Sequence, residues 1–138
     1  MYKQAIVFIF LLSISGCEIV SIGDKNPKKQ AERYFDQNSS FGAIYLFITE
    51  LDSNNIPAAT IILADSTGTT YNAVDQYEMY YDLARLKRRI TNRPITDYWC
   101  DTLSKDVFRY KVELDYIKTI SFTAQRVKDK WFITNYND

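Results

Sequence analysis

Phe108-Arg109-Tyr110-Lys111-Val112-Glu113-Leu114-Asp115-Tyr116 alternates apolar and charged side chains without an exception. A period of two sends successive side chains to opposite faces, so this run reads as a strand with one buried and one solvated side. The rhythm extends in both directions. After Pro94, Ile95 to Thr102 reads as a preceding strand, while Ile120, Phe122 and Ala124 mark a following one. Val127 to Lys130 is a charged turn, and Trp131 to Tyr136 is a last strand. Strands of this kind joined by short turns form an antiparallel meander with one face open to water. Cys100, inside the first of these strands, is expected to be a buried small hydrophobe.

Upstream of Pro94 the period is helical. Asn26-Pro27 places a capping side chain before a proline at the first helical position, and Ala31, Tyr34 and Phe35 follow on one side. Asn38-Ser39-Ser40 and Gly42 either kink this helix or end it and cap another. Ile44, Tyr45, Ile48 and Leu51 then recur at helical spacing until Asp52-Ser53-Asn54-Asn55 stops the run. Ile56-Pro57 opens a short helix through Leu63, and Asp65-Ser66-Thr67-Gly68 is a turn by composition. The longest helical pattern covers Asn72 to Ile90. It has one apolar stripe of Met79, Leu83, Leu86 and Ile90, and a second of Val74, Tyr77, Tyr81 and Ala84. An arc this wide is expected to be covered from two directions or to line a cavity. Helices first and strands afterwards make an α+β domain.

The chain has 138 residues, with 17 basic and 17 acidic side chains. With no basic surplus, nucleic acid is not an expected partner. Histidine is absent, which removes the commonest metal ligand and the commonest general base. No glycine loop fit to cradle phosphate, no metal-spaced cluster and no serine nucleophile motif is present, so no cofactor is expected. The basic run Arg85, Lys87, Arg88 and Arg89 suits anionic lipid head groups or a glycan. A solvated helix end, where cations favour the macrodipole, is the preferred reading.

The first seventeen residues carry a different signal. Lys3 is followed by an apolar run from Ala5 to Ile14, and then by the small residues Ser15 and Gly16 before Cys17. The three-part layout is that of a secretory signal, and the apolar run is about half the ~20 residues a membrane-spanning helix needs. Ile14-Ser15-Gly16-Cys17 resembles the lipobox of bacterial lipoproteins at every position. The resemblance implies cleavage after Gly16 and a diacylglyceryl thioether, with its palmitate-like chains, on Cys17. Two acyl chains are enough for stable membrane attachment without a span. An ordinary signal peptide beside an incidental cysteine is the competing reading. The expected organisation is a signal peptide at 1–16, a lipidated terminus and spacer at 17–26, and one α+β domain at 27–138. Localisation is then the bacterial cell envelope. Glu18 after Cys17 favours the outer membrane in a host with two membranes.

The order of elements resembles the nuclear transport factor 2-like superfamily, together with lumazine-binding-like bacterial lipoproteins built on it. Phe47 to Asp65 is similar to the helix, polar break and short helix that open those domains. Ala124 to Thr134 is similar to their last hairpin, with its charged turn before Trp131. The likeness implies N-terminal helices packed on a curved antiparallel sheet formed mainly by the C-terminal half. It also implies a cone-shaped pocket, for which Tyr77, Tyr81, Trp99, Tyr110, Phe122 and Trp131 are the candidate walls, to hold a small apolar or aromatic ligand. A filled core is the preferred reading of these aromatics. Enzymes of the superfamily place a carboxylate in the cone, and Asp97 is the candidate here, with Asp101 near it. Both fit a plain exposed strand face as well. Three functions follow: a non-catalytic binding or interaction module, an enzyme using a pocket carboxylate, or an exclusion or assembly lipoprotein that meets an envelope protein through a flat surface.

Overall fold

The computed structural model describes residues 36–137. The lipobox with Gly16 and Cys17, the spacer and the helix expected from Asn26 onward lie outside these residues. Within them, four helices precede four strands. They are α1 (Ser40–Asp52), α2 (Ile56–Ile61), α3 (Ala73–Glu78), α4 (Tyr80–Ile90), β1 (Ile95–Ser104), β2 (Val107–Leu114), β3 (Lys118–Val127) and β4 (Lys130–Asn137). The strands form one antiparallel sheet in the order β1-β2-β3-β4, as a meander must. The α+β expectation therefore holds.

Each helix begins where local chemistry starts it. Ser39 accepts the Gly42 amide through its hydroxyl at 3.0 Å, so the serine cluster caps α1. Gly42 cannot be larger, because a Cβ there would stand 2.6 Å from both the Asp36 carbonyl oxygen and Ser39 Oγ. Asn54, in the left-handed region at φ 65°, turns the chain out of α1, and Asn55 caps α2. At α3, Asn72 and Asp75 form a reciprocal capping box.

The long helix expected from Asn72 to Ile90 is divided at Met79 into α3 and α4. Leu83, Leu86 and Ile90 of α4 are buried, whereas Val74, Tyr77 and Tyr81 stand in water. Its second apolar stripe is thus uncovered except at Ala84, which packs against the core. The joint lets α4 lay one narrow stripe on the core while α3 turns away.

The sheet departs from the expected strands in two places. The alternating run stops at Leu114. Asp115 and Tyr116 adopt φ 53° and 57°, and they turn β2 back into β3 with Tyr116 exposed. β1 is longer than expected, reaching Ser104, and register shifts interrupt it between Ile95 and Asp97 and between Thr102 and Ser104. The first shift puts Ile95 opposite buried Leu114 and Asp97 opposite Glu113, so Ile95 does not share a side with Asp97 and Trp99 as an unbroken alternation would require.

Helix α1 packs across β3 and β4 and also meets α2 and α4. Between these layers lie Ile44, Phe47, Leu51, Leu83, Val112, Leu114, Ile120, Phe122, Ala124 and Ile133, all fully buried. Each large side chain so buried contributes ~1.5–3 kcal/mol. A last piece of backbone pairing meets the β4 edge at one residue, where Leu63 bridges Ile133 in parallel, and Ala64 next to it bridges Thr70 antiparallel. Beside it, Gln37 accepts the Trp131 amide at 2.8 Å and donates its Nε2 to the Trp131 carbonyl at 2.9 Å.

Candidate functional site

The six aromatics expected to wall one pocket are distributed over two environments. Phe122 is fully enclosed, and Tyr110 and Trp131 are buried at 6% and 9% exposure. Tyr77, Tyr81 and Trp99 are exposed, at 73%, 73% and 49%. The covered side of the sheet is therefore filled, with Phe47 meeting Phe122 edge-on at 6.2 Å and Phe108 meeting Trp131 at 5.2 Å. Packed rings of this kind are core rather than the walls of a void.

At one end of that core, Phe41 stacks on Tyr98 at 4.0 Å and lies 5.6 Å from Tyr110. The Tyr110 hydroxyl and Ser40 Oγ are 2.6 Å apart. Burial pushes the Tyr110 phenol up to about 12, and the Ser40 hydrogen bond opposes that rise. A phenol held protonated to such a pH is a hydrogen-bond post between α1 and β2, not a proton shuttle at neutral pH. Cys100, opposite Tyr110, is exposed rather than buried, because β1 is the outermost strand and no further element covers it among the described residues.

Asp97 is exposed as well, and its carboxylate accepts the amide of the next residue, Tyr98, at 2.8 Å. That bond engages the carboxylate within its own strand, and a charged side chain on an edge strand discourages pairing with another chain. Asp101 is exposed on the same strand, opposite Arg109. Among the described residues no group of three or more metal-ligating side chains comes together.

The surface carries shallow clefts. One of about 500 Å³ runs between the Gly68 turn and the β3–β4 hairpin, over Phe132 and between Lys128 and Lys130. Another, of about 350 Å³, lies on the open face of the sheet and is lined by Arg109, Lys111, Ser121, Thr123, Asn135 and Asn137. These six residues were passed over in the sequence because the polar half of an alternating strand reads as mere solvated surface. Cross-strand register is what brings them together: Lys111 faces Ser121 and Ser121 faces Asn137, while Arg109 faces Thr123 and Thr123 faces Asn135.

No family model, no curated protein and no solved structure matches this chain.

Proposed function

We propose that this protein is a lipid-anchored component of a bacterial envelope whose folded unit is a non-catalytic binding module, working through its surface rather than through an internal cone. The carrying observation is the filled interior. Ile44, Phe47, Ile120, Phe122 and Ile133 are fully enclosed between α1 and strands β3 and β4, while the other side of the sheet has open polar clefts. The pocket-carboxylate enzyme is the weaker reading, since Asp97 lies in solvent and is engaged by its own strand. An exclusion or assembly role toward an envelope protein is favoured by one feature, the edge strand β1, which carries half-exposed Tyr98 and Trp99 on its two sides and Leu103 near its end.

The helices-then-meander order, and the short bridges that extend the sheet past β4, support an architectural likeness to the nuclear transport factor 2-like superfamily in a filled form. Anchoring through Cys17, after cleavage behind Gly16, rests on the lipobox pattern. Membrane fractionation tests it. The Cys17→Ala chain moves to the soluble fraction, whereas a natural product that still begins at Met1 with a free Cys17 thiol overturns the anchor.

A further inference from the structure

We propose that the open face of the sheet binds a glycan chain bearing carboxylate groups. This deepens the binding-module reading and rests on it. The register lays two straight rows across all four strands: Trp99, Lys111, Ser121 and Asn137 in one, and Asp101, Arg109, Thr123 and Asn135 in the other. Residues directly opposite in antiparallel strands project from the same face. At ~4.8 Å between strands, each row extends ~14 Å, room for a short run of sugar rings.

The chemistry of the rows changes along their length. Ser121, Thr123, Asn135 and Asn137 present hydroxyls and amides, groups that both donate and accept and so match sugar hydroxyls. Lys111 and Arg109, both exposed, stand beside them as the charged groups lining the groove among the described residues. The carboxylates of the face lie outside it, with Asp101 opposite Arg109 and Asp97 opposite Glu113. An anionic group is therefore drawn to the β3 and β4 side of the two cations, away from β1. Directly opposite on β1, Lys111 meets Trp99 while Arg109 meets an acid. Glu113, the next carboxylate on this face of β2, accepts the Thr96 hydroxyl at 2.8 Å, so Lys111 is assigned the larger share of the attraction. Trp99, half exposed at the far end of the row, offers an indole plane to the apolar face of a neighbouring ring. Two cations are too few for a phosphate polymer such as nucleic acid, which is tracked by a long basic stripe. A protein partner would meet a groove core poorer in apolar side chains than protein interfaces use.

The test is calorimetric titration of the detergent-solubilised full chain with a panel of carboxylated oligosaccharides, containing galacturonate, glucuronate or muramic acid, against neutral cellotriose and inorganic phosphate. Binding is expected for carboxylated members, weakening with salt. Lys111→Ala lowers affinity about tenfold or more and Arg109→Ala less. Trp99→Ala lowers it severalfold, and Tyr77→Ala, exposed elsewhere, leaves it unchanged. Circular dichroism of each variant confirms that the fold is intact. Equal binding of neutral and carboxylated chains, or no binding of any panel member, overturns the proposal. Photo-crosslinking of the chain in intact envelopes separates the two levels. Partner capture that is indifferent to Lys111→Ala leaves the binding-module reading standing while the glycan proposal falls, and absence of any capture and any glycan binding removes both.

Discussion

Replacing Phe122 by alanine separates a filled interior from a hollow one. Phe122 is fully enclosed on β3, opposite Tyr136 on β4 and Tyr110 on β2, with the Phe47 ring edge-on at 6.2 Å. Removing a ring from such a site forfeits its burial and leaves a cavity that neighbours close only in part, about 3–5 kcal/mol in total. With a urea dependence of ~2 kcal/mol per molar for a domain of this size, the unfolding midpoint falls by roughly 2 M. Trp99→Ala, at the exposed end of β1, changes stability by no more than ~0.5 kcal/mol. The assay is urea unfolding followed by circular dichroism. Adding Phe47→Ala in a double-mutant cycle reads the ring–ring coupling, expected at about 0.5–1.5 kcal/mol. If Phe122→Ala leaves the midpoint within ~0.3 M of the parent, the ring is lining empty space and the filled-core argument is wrong. Where the alanine variant does not fold, Phe122→Leu provides a smaller step of about 1 kcal/mol in the same direction.

Tyr110 gives a pH-dependent readout. Its phenol is raised by burial from 10.0 to about 12, so the protonated form is the one the fold favours. The stabilisation it supplies is complete below pH ~10 and is lost as pH rises through about 12, because the unfolded chain releases its proton first. Tyr110→Phe should cost about 1 kcal/mol at neutral pH, by leaving Ser40 without its partner, and should flatten the stability profile between pH 10 and 12. An unchanged alkaline slope would disprove the linkage. At the turn before Tyr71, Gly68 sits at φ 84°, and a Cβ there would meet Val127 Cγ2 at 3.0 Å. Gly68→Ala is expected to destabilise by about 1–2 kcal/mol in the same urea assay, and no loss would show that the turn relaxes freely.

Much of the fold was legible because it is governed by short-range periodicity. Alternation through Val112 and Leu114 fixed the buried face of β2, and the same rule found Ile120, Phe122 and Ala124. Serine and asparagine caps placed the starts of α1, α2 and α3 within a residue or two. What failed lay at the margins of elements. The Asp115–Tyr116 turn carries no glycine, and its positive φ values are imposed by the need to bring Lys118 opposite Leu114. The division at Met79 has neither proline nor glycine to announce it, and it follows from which stripe the core accepts. Cys100 was misplaced because a strand pattern cannot say whether a neighbour lies beyond its edge.

The candidate site was less legible for the same reason. Arg109 and Lys111 are adjacent in the alternating run, but Ser121, Thr123, Asn135 and Asn137 join them only through pairing with strands ten to thirty residues away. Likewise, aromatic content alone left Phe122 and Tyr81 equally eligible to line a pocket, and packing separated them into core and surface. By itself the sequence determined the class of fold and the order of its elements, since each is written in residues close along the chain. Tertiary structure alone decided that the interior is full, that β1 lies at the edge and that a polar groove crosses the open face. Those depend on strand neighbours and on volume, and volume is filled by residues that are distant in sequence.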